Sequence, residues 1–206
     1  QIHLRTFCLR ECEAYVKAAG LALNRNQILQ YYMIFGGVPY YWGFLKKGLS
    51  LSQNIDSILF EKDAPLRDEF KYLYASVFKK PENYVKIIEA LGTKKVGMTR
   101  EEIITATKIP NSGDLTTKLE GLESCGFIRK YNAFGMKKKN AIYQLMDCFT
   151  FFYFKFLKSE PTDEHFWTNQ INTPAVNTWL GLAFERVCME HVDQIKFKLG
   201  ISGVLT

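Results

Sequence analysis

The chain has 206 residues, 47% of them hydrophobic and 15% aromatic, with a formal net charge of +6. That composition excludes a disordered or low-complexity polymer, and the length fits one large or two small domains at roughly 100 to 150 residues each. No run approaches the roughly 18 apolar residues of a membrane span and the N-terminus lacks the basic-then-apolar order of a signal peptide, so a soluble, cytoplasmic protein without membrane contact is expected.

Gln1 is not an initiator methionine and the last residues form an apolar run, so the chain reads as a piece of a longer protein. Its five cysteines, Cys8, Cys12, Cys125, Cys148 and Cys188, are odd in number and form no C-x-x-C pair. Reduced thiols are expected, with no metal site.

Residues 7–80 read as a run of helices. Leu9, Tyr15, Val16 and Ala19 make one apolar stripe closed by Gly20, and Ile28, Leu29, Tyr32, Met33 and Phe35 make a second closed by Gly36-Gly37. Pro39 suits the first turn of a third helix, Tyr40–Lys47, because its missing N–H is not needed there. Ser50 or Ser52 caps a fourth with Ile55, Ile58, Leu59 and Phe60, and Pro65 starts a fifth with Phe70, Leu73, Tyr74 and Val77.

Pro81 opens a helix carrying Tyr84, Ile87, Ile88 and Leu91 at helical spacing. Thr99 caps a short helix, Arg100–Thr107, with Glu102 in capping-box position. After the turn Lys108-Ile109-Pro110-Asn111, Ser112 or Asn111 caps a longer helix with Leu115, Leu119 and Leu122 on one face, ended by Gly126. Phe127–Tyr131 and Ala141–Leu145 alternate as strands around a basic loop, Gly135–Asn140. Helix, helix, turn, helix, strand, basic loop, strand is the order of a winged helix-turn-helix.

Asp147 then caps an aromatic helix containing Phe149, Phe151, Phe152, Tyr153, Phe154 and Phe156. Lys158–Pro174 is polar, with two prolines, and reads as a linker. Ala175–Leu199 reads as one long helix with Trp179, Leu182, Ala183, Val187 and Val192 inward. The expected fold is mainly α with a small β component. Its expected parts are 1–80, helical; 81–146, winged helix-turn-helix; 147–174, aromatic helix and linker; and 175–206, a long helix opening a truncated further domain.

Charge is informative once localised. Gly92–Leu145 holds ten basic and five acidic residues, so it carries +5 of the chain's +6. An anionic partner would leave such a footprint. Lys137, Lys138 and Lys139 at the loop tip, with Arg129, Lys130 and Lys118 nearby, are the candidate contacts to the phosphates of double-stranded DNA, contacts that give salt-dependent affinity with little sequence information. Against base reading, the outward positions of the recognition helix are expected to be Asp114, Thr117, Lys118, Gly121 and Glu120 or Glu123, a face poor in the Arg, Lys, Asn and Gln that direct readout uses.

Three motifs fall short of a catalytic site. Gly92–Thr99 nearly matches G-x-x-x-x-G-K-[ST], but Met98 occupies the lysine position and the segment joins two helices instead of following a strand. Val187-Cys188-Met189-Glu190-His191 ends like H-x-x-E-H but lacks the first ligand, so His191 reads as a surface or capping histidine. His3 and His165 have no nucleophile at triad spacing, and no G-x-S-x-G elbow occurs. No catalytic residue is expected in this chain.

Several strings together resemble archaeal and bacterial ATPases of the AAA+/STAND type, in which a nucleotide-binding domain precedes a helical lid, a winged helix and a domain similar to PD-(D/E)xK nucleases. Leu9-Arg10-Glu11-Cys12-Glu13 resembles the start of the lid, and Gly36-Gly37-Val38-Pro39-Tyr40-Tyr41 resembles its G-x-P motif, whose proline lies near the nucleotide base. Thr99-Arg100-Glu101-Glu102-Ile103 and Leu119-Glu120-Gly121-Leu122-Glu123 resemble the winged helix, and Trp179-Leu180-Gly181-Leu182-Ala183-Phe184-Glu185 resembles the first nuclease-like helix. The resemblance implies nucleotide sensing through Gly36, Gly37 and Pro39, with ATP and Mg bound upstream of Gln1 and no cofactor here. Glu185 would be the only first-motif carboxylate, and one carboxylate cannot hold and use a catalytic metal. The expected role is a regulatory, DNA-binding winged-helix segment that contacts the ATPase domain of the same protein. The alternative is a protein-interaction or dimerisation module clamping the ATPase.

Overall fold

A computed structural model of the chain describes residues 5–132 and 141–203. In chain order the helices are α1 (Leu9–Ala18), α2 (Arg25–Phe35), α3 (Pro39–Trp42), α4 (Leu51–Ile55), α5 (Glu69–Val77), α6 (Glu82–Thr93), α7 (Arg100–Thr107), α8 (Gly113–Ser124), α9 (Cys148–Phe152), α10 (Phe166–Gln170), α11 (Pro174–Glu190) and α12 (Val192–Lys198). The strands are β1 (Met98–Thr99), β2 (Ile128–Tyr131) and β3 (Ile142–Leu145). The protein is mainly helical with one small antiparallel sheet. No helix among the described residues is long and apolar enough to cross a membrane. Two compact units are formed, one from residues 1–67 with 155–206 and one from 68–154.

The first unit is organised around α2. Asn24 accepts from the Gln27 N–H at 2.9 Å and the Gln27 side chain returns the favour at Asn24 N, so the helix starts on a complete capping box. Ile28, Tyr31, Tyr32, Met33, Ile34 and Phe35 are all buried, because α1 and α11 both pack on this helix. The expected helix Tyr40–Lys47 shortens to α3. Two observations explain why: the Trp42 indole N–H donates to Gly36 O at 2.8 Å, drawing the ring inward, and Asn54 pins Lys46 through both its backbone N–H (2.8 Å) and its carbonyl (3.1 Å). Those two bonds hold 44–48 in an irregular loop.

The segment expected to be a linker is part of this unit's core. Trp167 on α10 is 2% exposed and lies edge-on to Trp179 of α11 and to Phe156, at 6.1 and 5.2 Å. Asp56, buried in the π-helical segment Asp56–Phe60, accepts from the N–H groups of Trp167 (2.7 Å) and Thr168 (3.2 Å) and from the Thr168 hydroxyl (2.5 Å). A carboxylate from elsewhere in the chain thus satisfies the orphan donors of a short helix whose own sequence has no cap.

The second unit is the winged module with two flanking helices. Ile87, Ile88, Leu91, Ile103, Leu115, Leu119 and Leu122 form its apolar centre. Strand order is β1-β3-β2, with Met98 opposite Tyr143 and Ile128 opposite Leu145. Gly97, at φ 87°, lies so close to β3 that a Cβ there would stand 2.5 Å from Tyr143 O. The unit is wider than the expected 81–146: Phe70 of α5 stacks on Tyr153 at 3.9 Å, and the Tyr74 hydroxyl and Thr150 Oγ1 of α9 are 2.8 Å apart. Asp147 caps α9 through the Thr150 N–H at 2.7 Å.

Candidate functional site

The helix-turn-helix is built by local capping. Thr99 Oγ1 accepts from Glu102 N (3.3 Å), and Glu102 Oε2 accepts from Thr99 N (2.8 Å). Lys94 Nζ reaches the other Glu102 oxygen at 2.5 Å, and this bond, followed by that from Thr99 N–H, lowers the Glu102 carboxyl below the ordinary carboxylate range. The Arg100 guanidinium spans the turn, donating to Asn111 Oδ1 (2.9 Å) and Ser112 O (3.0 Å), while Lys108 closes α7 in the left-handed region at φ 59°. Ser112 caps α8 through the Leu115 N–H.

Several cations of the basic footprint are therefore engaged within the module. Lys118, expected to face outward, lies across the side of α8: it pairs with Asp114, sits 5.6 Å from the Tyr84 ring centroid and is only 12% exposed. Gly121, also expected outward, faces the rings of Tyr84 and Phe78, which a Cβ would meet at 3.5 and 3.6 Å. Arg129 donates through Nε (2.9 Å) and Nη2 (2.6 Å) to Gln144 Oε1 and covers the Tyr131 ring at 4.6 Å. Lys130 is exposed, its ammonium 5.8 Å from the Tyr143 centroid. Lys137, Lys138 and Lys139 lie outside the described residues.

The exposed residues of α8 are Gly113, Asp114, Thr116, Thr117, Glu120, Glu123 and Ser124. Three carboxylates and three hydroxyls make a surface complementary to a basic partner, and the one lysine of the helix is held beside an acid. The residue that sequence reasoning missed is Gln144. At 5% exposure its amide joins Arg129 to Lys95 O (2.8 Å), tying β2 and β3 to the turn before β1. A glutamine inside an otherwise apolar and aromatic strand was the available signal.

The Gly36-Gly37-Val38-Pro39 turn belongs to the first unit. Gly36 caps α2 at φ 57°. At Gly37 the chain crosses residues 5–8: Phe7 N–H donates to Gly37 O at 2.7 Å, and a Cβ on Gly37 would fall 1.8 Å from Phe7 O. The need for glycine there is a close backbone approach. Pro39 opens α3 and is exposed, and the following Tyr40 is 60% exposed with its ring edge-on to Phe44 at 5.0 Å.

Glu185 is exposed on α11, and no group of three or more His, Cys, Asp or Glu gathers as metal ligands among the described residues. The near-match Gly92–Thr99 runs from the end of α6 to β1, with Gly92 packed where a Cβ would stand 2.5 Å from the Phe154 ring. His191 is not on the surface. It is 7% exposed, accepts from the Leu9 N–H through Nε2 at 3.0 Å and lies edge-on to Tyr32 at 5.3 Å. Cys12 is fully buried and its thiol is pushed up to about 12 by desolvation, then by the neighbouring Cys8, Glu11 and Glu190. No family model, no curated protein and no solved structure matches the chain, so its own geometry carries the functional reading.

Proposed function

We propose that the chain is the regulatory part of an AAA+/STAND-type ATPase, comprising lid helices and a winged module that acts by docking on a basic protein surface. The carrying observation is the exposed face of α8, where Asp114, Glu120 and Glu123 meet solvent and Lys118 is turned aside into an ion pair. Such a face is repelled by phosphates and lacks the side chains that read base edges. It suits the nucleotide-binding domain of the same protein, or a second protein, as the docked partner. The Gly36–Pro39 turn would couple that domain's nucleotide state to the helices around α2. ATP and Mg would be held outside this chain, and no residue here is assigned catalysis.

The test is charge reversal in the intact ATPase. Glu120→Lys with Glu123→Lys is expected to change basal ATP turnover by at least severalfold without loss of folding, and unchanged turnover would sink the docking reading. A second reading is favoured by one observation, the Lys137-Lys138-Lys139 run in the β2–β3 connection. There the wing would lie along a DNA backbone without reading sequence. Fluorescence anisotropy with a generic duplex separates the two: a wing contact loses roughly two to three units of salt slope on substituting all three lysines by alanine, at about 0.9 per phosphate. Absence of binding at low salt leaves the docking role.

A further inference from the structure

The sequence of α11 and α12 contains no reason for them to be two helices. After Pro174 there is no further proline up to Lys198, the one glycine of that stretch is Gly181, and Glu190-His191-Val192 carries no helix-breaking residue. Yet α11 ends at Glu190 and α12 begins at Val192, with His191 between them at φ −105°, ψ 20°, far from helical ψ near −42°. Its N–H is shared between Val187 O (3.1 Å) and Cys188 O (3.2 Å). A break without a local cause calls for a tertiary one.

The His191 ring supplies it. Nε2 accepts from Leu9 N–H at 3.0 Å and therefore carries no proton, while Nδ1, 2.8 Å from Val187 O, is the donor. Leu9 is the first residue of α1, so its N–H has no partner within that helix, and the imidazole acts as its cap from a distance. Residues 5–8 run irregularly up to this point and are held at two more places: Phe7 N–H donates to Gly37 O at 2.7 Å, and the Tyr32 hydroxyl donates to Phe7 O at 2.9 Å. Tyr32 also presents its ring to His191. The 5–8 strap, Tyr32 and His191 thus form one connected set of contacts, whereas α12 buries no side chain of its own.

We propose that His191 is a latch: while the 5–8 strap lies on Gly37, the Leu9–His191 bond keeps α11 and α12 apart, and withdrawal of the strap lets Pro174–Lys198 run as one continuous helix. Displacement of residues 5–8 is converted in this way into a change of direction beyond residue 191. The device depends only on the geometry of this unit and stands apart from the docking role proposed for the winged module.

Nuclear magnetic resonance on the whole chain tests it. In the wild type the His191 ring is expected as the Nδ1–H tautomer with Nε2 hydrogen-bonded to Leu9 N–H, and residual dipolar couplings should give two distinct axes for α11 and α12. His191→Ala should give one axis and helical carbon shifts across 190–193, whereas His191→Gln, which keeps an acceptor at the Nε2 position, should retain two. Gly37→Ala, which drives a methyl into Phe7 O, should reproduce the single axis with His191 itself intact. Where that variant fails to fold, Tyr32→Phe removes one strap bond and should move the 190–193 shifts toward helical values. A kink that persists in His191→Ala, or 190–193 shifts that ignore the strap variants, would overturn the latch.

Discussion

Asp147 shows how one side chain can serve the fold and oppose it together. Its carboxylate caps α9, but desolvation outweighs the Thr150 hydrogen bonds and raises the carboxyl above its ordinary 3.8. The folded state then binds the proton more tightly than the unfolded chain. Stability from this group is fully present below the unfolded value and is lost as pH rises through the folded one, so neutral pH carries the whole cost. Asp147→Asn keeps an oxygen for the Thr150 N–H and removes the titration. It is expected to raise the urea midpoint at pH 7, with the advantage over wild type shrinking as pH falls toward 4. At Cys12, burial and a thiol pushed up to about 12 predict slow alkylation at pH 8 while exposed Cys125 reacts at once. Equal rates by mass spectrometry would contradict the packing of α1.

At the scale of elements, caps made by neighbours in sequence leave a fixed spacing and caps made across the fold leave none; among the capping boxes, the Thr99/Glu102 box and the Ser50 cap are the ones expected from the sequence. The boxes Asn24/Gln27, Ser50/Gln53 and Thr99/Glu102 are each three residues apart, so chain connectivity alone brings the partners together. Thr99→Ala is expected to cost about 1 kcal/mol in equilibrium unfolding of the winged unit. Asp56 and Trp167 are 111 residues apart, and no spacing rule links them. Asp56→Ala leaves the Trp167 N–H buried without its acceptor, a loss of about 1–3 kcal/mol, and hydrogen exchange should show α10 opening before α11. The same distinction explains His191: its partner is 182 positions away, so a motif search sees only an incomplete zinc signature.

For the whole molecule, the boundary of the winged unit is the testable matter. A fragment of residues 68–154 retains the Phe70–Tyr153 stack and the Tyr74–Thr150 bond, and is expected to unfold cooperatively. A fragment cut at 81–146 loses both and should have a lower urea midpoint and a broader transition. Comparable cooperativity in the two would show that α5 and α9 are accessory. The acidic face of α8, proposed to dock a partner, was half visible in the sequence. Its acids are evident at 114, 120 and 123, but the direction of Lys118 depends on Tyr84 from α6, and the role of Arg129 depends on Gln144 across the sheet.

Periodicity, caps and turn residues by themselves determined the mainly helical class, the helix-turn-helix with its two wing strands, and most helix starts, because those signals act between residues a few positions apart. The tertiary structure alone decided that 158–174 contributes Trp167 to a core, that 174–198 breaks at a buried histidine, and that much of the described basic footprint is spent inside the winged module. Each of these depends on which distant atoms meet. A hydrogen bond or ion pair over such a separation leaves no periodic trace, and only the packed chain reveals its partners.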